Sequence, residues 1–251
     1  MKNKIYDCVT FFDENFQLDL RFNILYDYVD KFIICESIFD HLGVFKNLNF
    51  RIDQFSNFKD KIDYIILDHQ FPNISNPWET QAYQRDYMLK NLKYVNDDDY
   101  IFFSDPDEIP NPEILNNFDL KKKYGIFLQN CFNYKFNLFN PHESPWEGTR
   151  VARKKDLKSI DFMRQKVKSK NLNYNFLRID KEKSIEIFKN GGWHFNNIMK
   201  PNEISKKLRT FAHKEFSKNE FSSPKIIEEK ISKKTDLFNR GHKYEIVNID
   251  D

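Results

Sequence analysis

Tyr100-Ile101-Phe102-Phe103-Ser104-Asp105-Pro106-Asp107-Glu108-Ile109-Pro110 sets four apolar, strand-forming residues directly ahead of three carboxylates. The apolar run has the length of a buried strand. The turn behind it then stands at the strand's carboxyl end, where open α/β sheets hold their ligands. Asp105 and Asp107, at i and i+2, can converge on one ion once the chain turns. Hard oxygen donors of this kind suit Mg²⁺ or Mn²⁺. A bare Asp-x-Asp is common, and the same residues also read as an acidic turn ahead of a helix at Pro112. Asp97-Asp98-Asp99 repeats the spacing at the amino end of the strand and reads as a solvated turn.

The segments before this stretch alternate in type. Ile5–Phe12, Lys31–Glu36 and Tyr64–Leu67 are short apolar or β-branched runs and read as strands. Phe16 to Leu25 is mostly helical in spacing. Trp78 to about Tyr94 predicts a helix that buries Trp78, Ala82, Met88, Leu89 and Leu92 and turns Arg85 and Lys90 elsewhere. Pro112–Phe118 reads as a short helix and Tyr124–Asn137 as one or two strands. Strands alternating with helices predict an α/β domain with a largely parallel, mixed central sheet flanked by helices. Residues 140–184 are polar and irregular and read as loops with short strands. Pro201–His213 and Pro224–Lys234 predict helices, so a helical C-terminal extension is expected.

With 251 residues, 40% hydrophobic and 31% charged, the chain suits one globular domain. The net charge of +2 hides an asymmetry. Residues 1–150 carry 16 Lys+Arg against 24 Asp+Glu, and residues 151–251 carry 24 against 14, so the halves stand at −8 and +10. The basic half is either solvated surface or a region that meets phosphates, including those of a membrane surface. No stretch is long and apolar enough to span a bilayer, and residues 1–4 lack the apolar core of a signal peptide. A cytoplasmic location is expected, with peripheral membrane contact left open and no nucleic-acid partner. Cys8, Cys35 and Cys131 are far apart and read as buried thiols. With six glycines and no GxGxxG or Walker A pattern, a dinucleotide fold or P-loop is not expected.

Gly191-Gly192-Trp193-His194-Phe195 puts a histidine between two aromatics after a flexible turn. His194 reads either as a third metal ligand or as a core histidine. Arg85 reads as a bidentate partner for a diphosphate or as an ion pair with Asp86 or another acid. Glu36 ends a strand on the presumed ligand face and either binds a donor or caps a turn.

Taken together, these segments resemble glycosyltransferase family 17, whose members include bisecting β-1,4-N-acetylglucosaminyltransferases. The likeness covers roughly residues 5–215. It rests on Glu14-Asn15-Phe16 with Leu18-Asp19-Leu20-Arg21, on Val29 to Ser37, on Trp78 with Arg85-Asp86, on Asp98 to Pro110, and on Gly192-Trp193-His194-Phe195 followed by Lys207-Leu208 and Glu215. The resemblance implies a GT-A fold, a nucleotide-sugar donor, typically UDP-GlcNAc, a glycan acceptor and inversion at the anomeric carbon. It implies Asp105, Asp107 and His194 as metal ligands, and Glu36, Arg85, Asp105 and Trp193 as donor contacts. The candidate bases are Glu108, beside the metal site, and Glu215, at a position where the family also tends to carry an acid, and Glu143 and Glu147 are candidate acceptor contacts. Residues 1–137 would bind the nucleotide sugar, residues 138–215 would complete the acceptor and metal sites, and residues 216–251 would form the extension. The chain departs from the family after Glu36-Ser37, where Ile38–Lys46 keeps a Gly and a Lys but not the usual Thr. Two other classes fit paired carboxylates: a metal-dependent phosphoesterase or nucleotidyltransferase, and a non-catalytic nucleotide- or glycan-binding module.

Overall fold

The computed structural model describes residues 2–73, 75–210 and 218–248. The core of the sheet comes from the apolar runs. Ile5–Phe11 (β1) pairs in parallel with Lys31–Ser37 (β2) on one side and with Tyr100–Ser104 (β4) on the other. Ile62–Leu67 (β3) extends the parallel half beyond β2. Asn15–Leu25 (α1) connects β1 to β2, Pro77–Asn91 (α2) connects β3 to β4, and the short helix Pro112–Leu115 (α3) follows the acidic turn.

Both faces of this half are covered, which is why its strands read as unbroken apolar runs. Val9, Ile34 and Phe102 face Leu18, Phe22 and Leu25 of α1. Their neighbours Cys8, Ile33, Cys35, Ile101 and Phe103 face Met88 of α2 and Leu92 beyond it. Successive residues of one strand thus feed two different cores. The three cysteines are buried and free, as expected.

The second half of the sheet is mixed. Trp146–Arg153 (β8) runs antiparallel between β4 and Tyr124–Asn133 (β6). β6 pairs in parallel with Ile185–Phe188 (β9) and Gly192–Asn196 (β10). Leu138–Phe139 (β7) and Glu245–Ile246 (β11) close that edge. The 140–184 stretch therefore holds more order than its polarity suggests: an eight-residue strand in mid-sheet and the helix Ile160–Lys166 (α4). The boundary expected after residue 137 falls inside this one sheet.

The helices Pro201–Thr210 (α5), Asn219–Ser222 (α6) and Pro224–Lys233 (α7) follow. Ile204, Leu208 and Ile227 join Tyr134, Leu138, Leu237 and Tyr244 in a third apolar cluster, so the C-terminal helices are bound to the end of β6. His213 and Glu215 lie outside the described residues. Among the described residues, no helix is long and apolar enough to cross a membrane.

One helix face differs from its sequence reading. The buried side of α2 is Thr80, Gln84, Arg85 and Met88, and Trp78 is largely exposed. This face meets strand ends, where polar groups find partners. Gln84 Nε2 donates to the Cys35 carbonyl at 2.9 Å, and Thr80 Oγ1 donates to that of His41 at 3.0 Å. Hydrogen bonding makes burial of these polar groups affordable.

Candidate active site

β1 has β2 on one side and β4 on the other, so the chain leaves the sheet's middle in two directions and opens a crevice at its carboxyl edge. Asp105-Pro106-Asp107 stands at that crevice. Arg21 of α1 holds the turn from below, fully buried. Its Nε and Nη2 each lie 2.5 Å from the Asp7 carboxylate, and Nη1 donates to the Glu108 carbonyl at 2.6 Å. Nη2 also reaches Ser104 Oγ, which pairs with Thr149 Oγ1. Breaking a buried, hydrogen-bonded pair of this kind is costly, so the turn is fixed before any ligand arrives.

Glu108–Pro110 (β5) pairs antiparallel with β10, and Trp193 and His194 stand opposite Ile109 and Glu108. The Phe195 N–H donates to the Asp107 carbonyl at 2.8 Å. The Gly-Trp-His segment and the acidic turn, remote in sequence, are thus adjacent strands. Gly192 makes the approach possible. Its φ is +114°, and an added Cβ would stand 2.1 Å from the Ile109 carbonyl oxygen. Gly192→Ala is expected to cost about 2–3 kcal/mol or more in urea unfolding. A loss below about 0.5 kcal/mol would show that β10 does not need this backbone conformation.

Alternation along β10 sends His194 and Asn196 to the cavity wall. Trp193 goes the other way, against the core and parallel to Phe195, with ring centroids 6.4 Å apart. Asp107, in the turn just ahead of β5, lines the cavity, whereas Glu108, paired opposite His194, is fully buried.

Asp107 and His194 face each other, with Oδ1 3.6 Å from Nε2, and Lys207 Nζ lies 3.6 Å from Oδ2. Burial disfavours the Asp107 charge, but the His194 and Lys207 cations outweigh it and hold its carboxyl well below the usual range. Burial likewise opposes the charge of His194, and Asp107 reverses that and raises its pKa well above the ordinary value. The other ring nitrogen, Nδ1, lies 3.6 Å from Cys131 Sγ. Nε2 is therefore the nitrogen that faces Asp107; it carries a proton while the two stand as an ion pair, and only by losing that proton would it offer an electron pair to a cation between them. One carboxylate and one imidazole, with room beside them, fit a hard divalent cation that takes its remaining oxygens from a diphosphate. Among the described residues, no group of three or more His, Cys, Asp and Glu stands ready to hold an ion unaided.

Asp105 is differently placed. Its carboxylate accepts from Arg164 Nη2 at 2.5 Å and lies 3.8 Å from Arg85. Burial disfavours its charge, yet these guanidinium groups hold its pKa below the ordinary value. Arg164, on α4, also donates to both oxygens of Glu108 at 2.6 and 3.0 Å. Trp146 Nε1 donates to Glu108 at 2.7 Å, and its ring lies 5.0 Å from that of His194. Glu108 is fully buried, and its carboxylate orients Arg164 and Trp146.

Arg85 does not pair with Asp86. It donates to Asp161 at 2.9 Å and to Gln81 at 2.8 Å, and its buried Nε has no hydrogen-bond partner among the described residues. Glu36 is also not a cavity group. It accepts from Lys46, from the Asn49 and Phe50 N–H groups at 2.8 and 3.0 Å, and from Tyr64 Oη at 2.7 Å, which ties down the 38–50 loop. Of the resemblance's site residues, the structure brings Arg85, Asp105, Asp107 and His194 together at one cavity. It turns Glu36, Glu108 and Trp193 away from it, and Glu215 is outside the described residues.

The cavity holds about 820 Å³, a volume suited to a small-molecule ligand. Its wall adds Arg164, Lys168 and Trp146, which the sequence reading passed over, and Glu14, which it quoted for the family likeness without a role at the site. Glu14 accepts from the Phe12 and Asp13 N–H groups through one oxygen, and burial raises its pKa. A pattern search would not find Arg164 or Lys168, because neither lies in a motif.

The model of glycosyltransferase family 17 matches residues 1–242. The chain belongs to glycosyltransferase family 17. The human relative, beta-1,4-mannosyl-glycoprotein 4-beta-N-acetylglucosaminyltransferase, is 34% identical over 102 residues, which are 37% of this chain and 19% of the relative. The enzyme of the same name from Rattus norvegicus matches at the same identity and coverage. The matched stretch thus spans about a fifth of the length of these relatives. Among solved structures, the glucosyl-3-phosphoglycerate synthase of M. tuberculosis is similar at 11% identity and a TM-score of 0.39, covering 78% of this chain and 72% of that one. The inositol-1-phosphate CTP transferase of T. maritima is similar at 11% identity and a TM-score of 0.38, over 78% and 91%. Likenesses that distant bear on neither the family nor the site.

Proposed function

We propose that this chain transfers N-acetylglucosamine from UDP-GlcNAc to a hydroxyl of a glycan acceptor, with inversion at the anomeric carbon and a divalent cation at Asp107 and His194. The observation that carries this reading is the Asp107–His194 pair, set at the mouth of the β1–β4 crevice in a cavity walled by Arg85, Arg164 and Lys168. The family supplies the reaction class, and the names of the relatives supply the sugar.

Asp107 and His194 would hold Mn²⁺ or Mg²⁺, which would supply charge neutralisation for a departing diphosphate. The protein's own groups do the rest. Arg85, with a free Nε–H, and Lys168 attract the phosphates and orient them. Asp105 holds Arg164 in place across the cavity floor. The Trp146 ring, about a third exposed, forms the wall beside His194 and limits where an acceptor sugar can lie. A cavity carboxylate takes the acceptor proton as the hydroxyl attacks in line. Glu14, Glu143 and Glu147 are such carboxylates among the described residues, and replacing each with glutamine sorts them by their effect on kcat.

Lys168 gives this reading a pH signature. Burial, then Arg150 and Arg164, pull its pKa down to about 8. A phosphate favours the charged amine, so binding takes up a proton once the free amine is neutral. Affinity for UDP should fall as pH rises above about 8, by up to about tenfold per unit. Isothermal titration across that range reads the slope, and Lys168→Arg, whose charge persists, should flatten it. A flat wild-type profile would remove Lys168 from the phosphate site.

The test of the function is thermal stabilisation by a panel of nucleotide sugars, with and without Mn²⁺. Mn²⁺-dependent stabilisation by UDP-GlcNAc, followed by acceptor-dependent UDP release, is the expected result. Stabilisation without turnover on any acceptor would favour a binding module, and no stabilisation would overturn the donor assignment.

A further inference from the structure

The segment after α4 presents large apolar side chains to water. Leu172 is 41% exposed, Tyr174 39%, Phe176 80%, Leu177 70% and Ile179 94%. Singly exposed apolar residues are ordinary on a protein surface, but a run of five within eight positions marks a contact face. The segment has a fixed shape. Arg178 pairs with Asp180 at 2.7 and 2.8 Å and lies over the Tyr174 ring. Lys183 donates to the Asn175 carbonyl, and Asn171 Nδ2 to that of Lys166 at 2.8 Å. The polar groups bond to one another and the apolar ones are left outside. Residues 166–183 carry six Lys and Arg against Asp180 and Glu182, a net +4.

We propose that the 172–179 loop docks this protein on an anionic lipid surface. Phe176, Leu177 and Ile179 enter the headgroup boundary, and the lysines around them meet lipid phosphates. The charge decides the partner: apolar tips in a basic collar match an anionic membrane interface, which rewards both at once. Lys168 and Lys170 belong to the collar and also line the cavity, so docking brings the cavity mouth to the lipid. The contact therefore falls to this loop within the basic half of the chain, ahead of the C-terminal helices.

The test is co-sedimentation of the intact chain with vesicles of phosphatidylcholine alone and of phosphatidylcholine mixed with phosphatidylglycerol. Wild-type protein should partition onto the mixed vesicles roughly tenfold better than onto neutral ones, and less so at high salt. The triple variant Phe176→Ser/Leu177→Ser/Ile179→Ser should lose roughly tenfold of that partition while keeping its unfolding temperature. Equal partition of wild type and variant, or no binding to mixed vesicles, overturns the proposal. So does a wild-type dimer in analytical ultracentrifugation that the variant loses, which would make the loop a protein interface. No substrate is present in any arm, so the result is independent of the sugar-transfer reading.

Discussion

Asp107→Ala should keep the fold and lose at least about 10³-fold in transfer rate. The two consequences separate because the backbone and the side chain of Asp107 have different tasks. Its carbonyl, which accepts from Phe195, joins β5 to β10 and survives the substitution. Among the described residues, the side chains its carboxylate meets are His194 and Lys207, each at 3.6 Å and both on the cavity wall, where water can replace it. Removing it takes away one of the two side chains that fit a cation and leaves His194 to bind alone. Steady-state release of UDP, read beside the unfolding temperature and the Mn²⁺-dependence of nucleotide binding, is the measurement. A folded variant with wild-type turnover would remove Asp107 from the chemistry and leave the cavity to be explained by its arginines.

Arg164→Met should have the largest effect on stability. Arg164 is buried and donates to Asp105 and to both oxygens of Glu108, and Glu108 has no exposure to water. Without the guanidinium, two carboxylates share that space, and among the described residues Glu108 keeps no other ion pair within 4 Å. Removing one member of such a buried group costs about 3–5 kcal/mol. For a chain of this length that is a fall in Tm of roughly 10 °C. The cost arises from the stranded charge, so Glu108→Gln added to Arg164→Met should restore part of the loss. If the single variant does not fold, Arg164→Lys, which keeps the charge without the planar fork, carries the test. A change below about 1 kcal/mol in urea unfolding would show that Glu108 and Asp105 are neutralised by other means.

The parallel half of the sheet was legible because its strands are covered on both faces. Double burial writes itself into the chain as runs such as Tyr100–Phe103 and Phe32–Cys35, which local reading detects. β8 escaped for the opposite reason. Its buried positions include Thr149 and Arg150, and the Arg150 guanidinium is accommodated by the Glu147 and Gly148 carbonyls, which hydropathy does not register. The buried face of α2 was misread in the same way, since Gln84 and Arg85 enter the interior on hydrogen bonds rather than on apolarity.

Among site residues, Asp105, Asp107, His194 and Arg85 were recognisable by motif and family likeness, and they meet at one cavity. Glu36, Glu108 and Trp193 carry the same motifs and face elsewhere. Adjacency in sequence cannot separate Asp107 from Glu108: Asp107 stays in the turn and lines the cavity, whereas Glu108 begins β5 and is covered by Trp146 and Arg164. Arg164 and Lys168 had no signal at all.

The sequence alone therefore determined the order of strands and helices in the parallel half, the acidic turn at a strand's carboxyl end and the family, since each is a matter of local pattern or of motifs in series. The tertiary structure alone decided which carboxylate meets His194 and Lys207, which ones Arg164 neutralises, and that the remote Gly-Trp-His strand lies beside the acidic turn. Those depend on pairing across 56 or more residues, as between Glu108 and Arg164, and only the folded sheet fixes which side of each strand meets water.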